Sequence, residues 1–499
     1  MYSMKKQLGE IGWVRRSFHW LLTALSQVLR GASRTGDPHD RPPACLVRPS
    51  APHGPRAARP FHRRDPLVRI PRVRRAGLAC TCVALWGMAC GGSSGSSPNT
   101  IATSAYNVSP VFVDYGPPNA GGYINGLFAT VTVCVPGSTS QCQSIDNVLV
   151  DTGSSGLRLL GSVLTLSLPA WTDASGTPLA ECGQFLSGSI WGPLQSADFS
   201  IANEQATNLA IQVIDESTYP LPASCTGTDI STPDLLGANG LLGVNSFLQD
   251  CGPACAAGLG NNSENPGMYY ACSSAAADGC QPAVVPVAQQ VSNPVAFFAP
   301  DSDGTTDNNG SIIELPAIPA EGAPSVTGSL VFGIGTRENN GLGRATIIQL
   351  DDTGSFLTKY PSNGSEFSAF IDSGSNAIYF LDSGTTGIPD CPGEFSDFYC
   401  PSSTLDLSAR VQDTYGLAAL NVNFSVANAV TLFEDPTTQN NLAYDNLGGP
   451  SITPQSGTSG TSNVPAYFDW GLPFHFGRNV FAAIEGQATP GGAGPFVAF

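Results

Sequence analysis

Two aspartates, Asp151 and Asp372, occupy the same place in two copies of one short pattern about two hundred residues apart. The first copy reads NVLVDTGSSGLRLL and the second reads SAFIDSGSNAIYFL. In both, an apolar run leads into the Asp, a Thr or Ser and a Gly follow it, and a second apolar run closes the copy. Two carboxyl groups brought together cannot both ionise, so they share a proton, and one can act as general base while the other acts as general acid. A strand that ends in the Asp, turns on the Gly and re-enters the core would hold each carboxyl group rigidly.

Two further aspartates, Asp352 and Asp382, are also followed by Thr or Ser and then by Gly. Asp352 comes after another acid and lacks the apolar run, so its sequence predicts a turn. Asp382 has apolar residues before it, but Gly, Pro and Asp follow, so no second core strand leaves its loop. Asp372 has an apolar run both before and after its motif and is therefore the better partner for Asp151.

The paired motif resembles the pepsin-like aspartic peptidases, whose two lobes each contribute one Asp-Thr/Ser-Gly loop to a shared cleft. The resemblance implies that Asp151 and Asp372 are the catalytic pair, which activates a water molecule and polarises a peptide carbonyl. It also implies that the residue after each Asp braces the two loops, and that the hydroxyl group three residues after each Asp donates a hydrogen bond to it. The supporting residues are then Thr152, Gly153, Ser154, Ser373, Gly374 and Ser375.

A segment after the first motif resembles the hairpin flap that closes over substrate in this family. Its residues are Phe185, Gly188, Ser189 and Trp191. The flap Tyr of the family falls on Phe185, which has no hydroxyl group. An ordinary hairpin that contains glycine is the alternative interpretation.

Each lobe of the family also has an apolar-apolar-Gly segment beneath its Asp loop. Leu241-Leu242-Gly243 matches it in the first half of this chain, and Trp470-Gly471 is the counterpart in the second half. The second match is less close, because Asp469 stands where an apolar residue is expected. The intervals from each motif Asp to the Gly, 92 and 99 residues, are similar, as a duplicated lobe requires.

Arg158 is a second departure from the family, which usually has a Trp seven residues after the first Asp. The equivalent position of the second copy holds Tyr379. A cation near the pair would lower the pKa of the carboxyl groups and could shift the working pH. Alternatively, Arg158 pairs with a surface acid, which has little energetic effect.

The composition favours a turn-rich β protein, since the 499 residues include 56 Gly and 40 Pro, and only 12% are charged. Short apolar runs bounded by Gly, Asn, Asp and Ser recur, and no internal run is long enough to span a membrane. Together with the resemblance, this predicts an all-β, bilobal acid-protease fold with two pseudo-symmetric β lobes and a cleft between them. The N-terminal lobe is expected at 106–290 and the C-terminal lobe at 291–499.

Charge is concentrated at the N-terminus, where Met1–Arg75 holds 16 of the 22 Lys and Arg but only four of the 39 Asp and Glu. The rest of the chain is therefore strongly acidic and would repel nucleic acid, so we expect no nucleic-acid partner. Such a balance fits an exported protein, for which solubility is the simplest reason.

The N-terminal region predicts export. In 68–90, arginines precede an apolar run that ends at Cys90, as in a secretory signal. Cys90 resembles the lipidated Cys of a bacterial lipoprotein, which would place the protein in the periplasm or at the cell surface with a membrane anchor; Gly87, where Leu is usual, keeps plain secretion open. Residues 91–105 predict a flexible tether. Residues 1–67 read as disordered or as a wrongly assigned gene start.

Ten cysteines follow Cys90, and an even number in an exported chain indicates five disulfides. The spacing of Cys251 and Cys255 could also suit a metal, but no His lies nearby, so disulfides are favoured. The predicted bridges are Cys134–Cys142 and Cys391–Cys400, with Cys182–Cys225 as a further candidate, while Cys251, Cys255, Cys272 and Cys280 allow three pairings.

Other candidate sites carry less information. Asp301, Asp303 and Asp307 superficially resemble a calcium loop, but they lie between two strand-like segments and fit a solvated turn better. His475 has aromatic neighbours and is expected to pack in the core. We therefore expect no metal and no cofactor.

The sequence predicts a monomeric aspartic endopeptidase of the cell envelope that acts on polypeptides. The first alternative is a catalytically inactive pepsin-like lipoprotein that binds a peptide or glycan, and a structural envelope lipoprotein is a third. The phrase DTGSSGLR together with Asn293-Pro294-Val295 also resembles a bacterial family of uncharacterised, pepsin-related exported proteins, from about Tyr106 to the C-terminus. That resemblance implies a fold and a site but no substrate.

Overall fold

Short apolar runs between turn residues form strands throughout the computed structural model, which describes residues 101–185, 187–260, 265–276, 278–451 and 467–499. The predictions for 1–67, for 68–90 with Cys90 and for most of 91–105 lie outside these residues. The strands are β1 (Val108–Val113), β2 (Leu127–Cys134), β3 (Cys142–Asp151), β4 (Ser155–Leu160), β5 (Leu179–Gln184), β6 (Ser189–Ile201), β7 (Glu204–Ile214), β8 (Gly240–Val244), β9 (Tyr269–Cys272), β10 (Cys280–Pro282), β11 (Gly310–Glu314), β12 (Val326–Phe332), β13 (Ile347–Gln349), β14 (Phe356–Tyr360), β15 (Ser365–Ile371), β16 (Ile378–Phe380), β17 (Leu405–Gln412), β18 (Ala419–Val426), β19 (Gly448–Gly449), β20 (Tyr467–Trp470), β21 (Asn479–Ala483), β22 (Ala488–Thr489), β23 (Gly492–Ala493) and β24 (Phe496–Ala498).

Helices are few and short in the described residues. None has more than six residues, so none could supply a helical core layer. The α-helices are Pro233–Leu236, Pro253–Ala256, Ser383–Thr386 and Ala429–Glu434, and the 3-10 helices are Val287–Gln289, Pro294–Phe297, Gly393–Phe395 and Leu472–His475.

The strands form one fifteen-stranded sheet, one seven-stranded sheet and a two-stranded ribbon. The large sheet runs in the order β10-β9-β5-β6-β7-β4-β8-β3-β2-β1-β12-β11-β21-β24-β13, and the smaller one runs β18-β17-β14-β15-β20-β16-β19. Strands from both halves of the chain meet where β1 pairs with β12. The predicted lobe boundary at 290/291 falls in the connection between β10 and β11.

The same strand arrangement surrounds both Asp motifs. β3 leads into the first motif and lies parallel to β8, while β4 leaves the motif and lies antiparallel to β8. In the second half, β15 is parallel to β20 and β16 is antiparallel to β20. The strands beside the first motif contribute Val150 to one apolar cluster, and those beside the second contribute Phe468 to another. The prediction of an all-β, bilobal fold is confirmed.

Five disulfides link the ten described cysteines. The three predicted bridges, Cys134–Cys142, Cys182–Cys225 and Cys391–Cys400, are confirmed. The remaining four cysteines pair as Cys251–Cys255 and Cys272–Cys280, so the metal interpretation of the first pair does not hold. Within the described ranges, no cluster of three or more His, Cys, Asp or Glu could hold a metal ion. Over the same ranges, no helix has the length and apolar character needed to cross a membrane.

Candidate active site

The first aspartate loop holds its carboxyl group from two sides. Asp151 is the last residue of β3 and is fully buried. Its Oδ1 accepts a hydrogen bond of 2.8 Å from the backbone N–H of Gly153, and its Oδ2 accepts one from the hydroxyl group of Ser154. These bonds arise because the chain turns back at Gly153 before β4 begins, which folds the N–H and the hydroxyl over the carboxylate.

The second loop repeats this arrangement. Asp372 directly follows β15 and is also fully buried. The N–H of Gly374 donates to Asp372 Oδ1 at 2.8 Å, and the hydroxyl group of Ser375 lies 3.2 Å from Asp372 Oδ2. The two loops are therefore equivalent in their local hydrogen bonds.

Thr152 and Ser373 join the two loops. The N–H of Thr152 donates to Ser373 Oγ at 3.1 Å, and the N–H of Ser373 donates to Thr152 Oγ1 at 2.9 Å. Each hydroxyl group then donates across the interface, Thr152 to the carbonyl of Ile371 at 3.2 Å and Ser373 to the carbonyl of Val150 at 2.7 Å. Each hydroxyl group thus accepts one bond and donates one bond, so neither loop can shift without breaking contacts with the other.

The two glycines bring the carboxyl groups close to the opposite loop. A Cβ atom on Gly153 would lie 2.7 Å from Asp372 Cγ, and a Cβ atom on Gly374 would lie 2.9 Å from Asp151 Oδ1. Burial, followed by the negative charge of Asp151, holds the pKa of Asp372 well above its ordinary value. The pair can therefore retain a proton at a pH at which an isolated aspartate would lose it.

The apolar-apolar-Gly segments lie beneath the loops on β8 and β20. A Cβ atom on Gly243 would lie 2.7 Å from the carbonyl oxygen of Ser154, and one on Gly471 would lie 2.7 Å from that of Ser375. Both positions therefore need glycine. Asp469, the departure noted in the sequence, is 1% exposed, and its Oδ2 lies 2.6 Å from the Ser375 hydroxyl group.

The predicted flap residues lie on the hairpin of β5 and β6. Phe185 and Gly188 exchange backbone hydrogen bonds at its tip. Ser189 is bonded through its N–H to the carbonyl of Thr228 at 2.8 Å and through its carbonyl to the N–H of Ile230 at 3.1 Å, so the tip is tied to a neighbouring segment. Phe185 packs against the apolar cluster that contains Ile230 and Tyr123.

Trp191 points into a different cluster. Its indole N–H donates to the carbonyl of Tyr219 at 2.8 Å, and its ring packs edge-on against Tyr270 at 5.1 Å. The Cys182–Cys225 disulfide lies in the same cluster. Trp191 therefore anchors the base of the hairpin.

Arg158 forms a buried charge cluster, and this rules out the alternative of a surface partner. Its Nη2 lies 2.7 Å from Glu181 Oε1 and 3.1 Å from Asp250 Oδ2, and both acidic side chains are at least 96% buried. Its Nη1 donates to the carbonyl of Ser155 at 2.6 Å. Burial and the negative charge of Glu181 raise the pKa of Asp250, whereas Arg158 lowers it. Arg158 thus connects β4 to β5, and its described bonds do not include either motif aspartate.

Tyr379, the counterpart of Arg158, also serves its own lobe. Its hydroxyl group donates to Asn376 Oδ1 at 2.6 Å, and its ring stacks on Phe398. The two equivalent positions therefore support the loops by different means.

The two remaining motif copies do not join the pair. Asp351 Oδ1 accepts hydrogen bonds from the N–H groups of Thr353 and Ser355, which makes the first copy a capped turn before β14. Asp382 caps the helix Ser383–Thr386 by accepting a bond from the N–H of Thr385 at 2.8 Å.

An arginine from a later loop lies against the calcium-like segment. Asp301 caps a turn by accepting bonds from the N–H groups of Asp303 and Thr305. Asp303 is exposed, but the side chains of Asp301 and Asp307 are at most 4% exposed, so the prediction of a solvated turn holds only at its tip. Arg337 pairs with both Asp301 and Asp307. A guanidinium group therefore balances these carboxylates.

Two residues beside the pair were not predicted from the sequence. Tyr123 is fully buried, and its hydroxyl group donates to the carbonyl of Gly374 at 3.1 Å. The side chain of Asn125 donates to the carbonyls of Asn376 at 2.8 Å and Tyr444 at 2.9 Å. Both precede β2 in a segment that reads as an ordinary loop, and their partners lie more than 250 residues away along the chain.

Comparisons with known proteins give a family without a known activity. No curated protein matches the chain. One solved structure that matches is the crystal structure of an aspartic proteinase from Irpex lacteus, at 14% sequence identity and a TM-score of 0.44, covering 78% of this chain and 96% of that one. Residues 103–499 match the family described as "Protein of unknown function (DUF3443)", and the chain therefore belongs to that family.

Proposed function

We propose that this protein is an aspartic endopeptidase that hydrolyses polypeptides in the cell envelope, with Asp151 and Asp372 as its catalytic pair. The observation that carries the proposal is the equivalence of the two aspartate loops. Each carboxyl group accepts one backbone N–H and one serine hydroxyl, and each loop braces the other through Thr152 or Ser373. A buried pair of this kind meets the main requirement of general acid–base catalysis, because the groups share one proton and so differ in charge.

The proposed reaction uses the proton that Asp151 and Asp372 share. The ionised carboxyl group takes a proton from the attacking water molecule, while the protonated one donates to the carbonyl oxygen of the scissile peptide bond. The C–N bond of the resulting tetrahedral diol then breaks. The carboxyl group that took the water proton gives it to the leaving nitrogen, the other carboxylate takes a proton from a diol hydroxyl group, and the pair returns to its first state. Gly153, Ser154, Gly374 and Ser375 would keep the carboxyl groups aimed throughout, because their hydrogen bonds hold both oxygens of each carboxylate.

Substrate would reach the pair from the side of Ser154. Both catalytic carboxyl groups are fully buried, whereas Ser154, which is bonded to Asp151, is partly exposed. The hairpin tip with Phe185 and Gly188 would have to move when a polypeptide enters, since Ser189 holds it against Thr228 and Ile230. An extended polypeptide could replace these backbone bonds by pairing with the hairpin edge.

Export is part of the proposal. The five disulfides of the described residues are typical of an oxidising compartment. We propose that Cys90 carries a lipid anchor and that the protein acts there as a monomer without cofactor.

A catalytically inactive protein that binds a peptide or glycan in the same cleft is the second candidate. Phe185 favours it, because a phenylalanine at the flap tip offers no hydroxyl group to a reacting substrate. The buried state of Asp151 and Asp372 points the same way, since a resting peptidase has to admit water and substrate.

Peptide cleavage measured between about pH 3 and pH 7 separates the two candidates. We expect the purified protein to cleave an unfolded polypeptide, and we expect Asp151→Asn and Asp372→Asn each to abolish cleavage. Asp352→Asn and Asp382→Asn are matched controls, because these residues carry the same motif outside the pair, and both should cleave normally. Binding of peptide by the wild-type protein without cleavage at any pH would exclude the endopeptidase and support the binding protein.

A further inference from the structure

The second lobe has a third buried carboxyl group where the first lobe has a leucine. In the parallel pairs, Phe370 is opposite Asp469, and Leu149, its counterpart in the first lobe, is opposite Leu241. Leu241 and Asp469 are both 1% exposed. The two lobes thus differ at one equivalent position directly behind the aspartate loops.

Ser375 connects this third carboxyl group to the pair. Its hydroxyl oxygen lies 2.6 Å from Asp469 Oδ2 and 3.2 Å from Asp372 Oδ2. A serine hydroxyl has one hydrogen, so it cannot donate to two ionised carboxylates at once. If Asp469 carries a proton, Asp469 donates to Ser375 and Ser375 donates to Asp372, and each contact then has one hydrogen.

The surroundings of Asp469 also favour its neutral form. The titratable groups that face it are Asp372, Asp151, Tyr379 and Tyr123, and over the described ranges no Lys, Arg or His forms an ion pair with any of the three aspartates. Among the described residues, Asp469 Oδ1 has no hydrogen-bond partner, which an ionised carboxylate would need in the protein interior. Burial therefore raises the pKa of Asp469 well above its ordinary value, and the charge of Asp151 raises it further.

We propose that Asp469 is a positioning residue that stays protonated and, through Ser375, directs a hydrogen bond to Asp372. The inference rests on the proposed peptidase function, because Asp372 is taken as a member of the catalytic pair. Asp469 does not touch the reacting atoms in this account. It fixes the direction of the Ser375 hydroxyl group, and so makes the environment of Asp372 different from that of Asp151, behind which Leu241 can donate nothing.

Peptidase kinetics of three variants test the positioning role. Asp469→Asn keeps a neutral donor, and we expect kcat and KM within about threefold of wild type with the acid limb of the pH profile unmoved. Asp469→Leu places the residue of the first lobe there, and we expect kcat to fall by on the order of tenfold at unchanged KM. Ser375→Ala should fall similarly, and the double variant with Asp469→Leu should be no worse than Ser375→Ala alone, because the two residues act in series.

Three results would overturn the positioning role. One is wild-type kinetics for Asp469→Leu. Another is a shift of the acid limb to lower pH for Asp469→Asn, because removing a negative charge lowers the pKa of Asp372 and would mean that Asp469 is ionised. The third is additive losses in the double variant, which would mean that Asp469 does not act through Ser375.

Infrared spectroscopy tests whether Asp469 is protonated, independently of any peptide cleavage. The difference spectrum between wild type and Asp469→Asn at neutral pH should contain the carbonyl stretch of a protonated carboxylic acid. Its absence would overturn the protonated state even in an active enzyme. If the band is present and the wild-type protein cleaves no peptide, the proposed function fails while the protonation of Asp469 stands.

Discussion

The α-carbon of Gly153 faces the carboxyl group of Asp372 so closely that an added Cβ atom would lie 2.7 Å from Asp372 Cγ. Gly374 faces Asp151 in the same way, with 2.9 Å to its Oδ1. Real Cβ atoms do not approach other atoms at these distances. The glycine of each motif therefore leaves room for the carboxyl group of the opposite loop, in addition to allowing its own loop to turn.

Gly153→Ala should consequently separate the two loops. The methyl group would push Asp372 away, and overpacking of this kind costs about 1–3 kcal/mol of the free energy of unfolding. We expect peptide cleavage to be lost and the urea midpoint to fall. Gly341→Ala is the control, because a Cβ atom there meets nothing within 4 Å. Normal cleavage by Gly153→Ala would show that the loops are not packed as described.

Arg158→Met should destabilise the protein strongly. The substitution leaves Glu181 and Asp250 buried without their cation, and breaking a buried ion pair in this way costs about 3–5 kcal/mol. Urea unfolding measures the loss, and adding Glu181→Gln to the same variant should recover part of it. Arg344→Met, at an exposed arginine, should change the free energy of unfolding by no more than about 0.5 kcal/mol. Equal effects at the two arginines would contradict the buried cluster.

Asp469→Asn should gain stability over the wild type as the pH rises. The folded protein raises the pKa of Asp469, so this group's contribution to stability is complete below the pKa of the unfolded chain, near 4, and is lost progressively above it. The asparagine variant lacks this loss, and the difference should grow by about 1.4 kcal/mol per pH unit above about pH 4 until the folded pKa is reached. Denaturant unfolding at several pH values measures it, with Asp303→Asn as an exposed control. A constant difference between wild type and Asp469→Asn at all pH values would count against the raised pKa.

Removal of the Cys182–Cys225 bridge should loosen the hairpin that carries the flap segment. The bridge spans 43 residues and joins β5 to the segment whose Thr228 and Ile230 bond to Ser189. Its loss should lower the free energy of unfolding by about 2–5 kcal/mol. We expect amide hydrogen exchange to speed up at Ser189 and Ile230 in the Cys182→Ser, Cys225→Ser double variant. The corresponding variant of Cys134–Cys142, which closes a short hairpin, should leave exchange at Ser189 unchanged.

Much of the fold could be predicted because the signals are local. The apolar runs on either side of Asp151 and Asp372 distinguish them from Asp352 and Asp382, and the structure brings only the first two together. Cys134–Cys142 and Cys391–Cys400 are close in sequence, so a short loop suffices to pair them.

The partners of Arg158 show where local signals stop. The position of Arg158 in the motif can be read from the sequence. Its partners Glu181 and Asp250, however, lie 23 and 92 residues away and belong to other elements. Nothing in their own neighbourhoods distinguishes them from surface acids. The alternative of a surface pair was wrong because burial depends on how β4, β5 and the segment after β8 pack.

The sequence by itself determined the two aspartate loops, the all-β architecture and the main disulfides, since strand periodicity, glycine turns and cysteine spacing act over a few residues. Only the tertiary structure decided that Tyr123 and Asn125 lie beside the pair, that the tip of the β5–β6 hairpin is tied to Thr228 and Ile230, and that Asp469 lies behind Ser375. These contacts join residues far apart in the chain. Their energies depend on burial and on single hydrogen positions, which exist only once the lobes have come together.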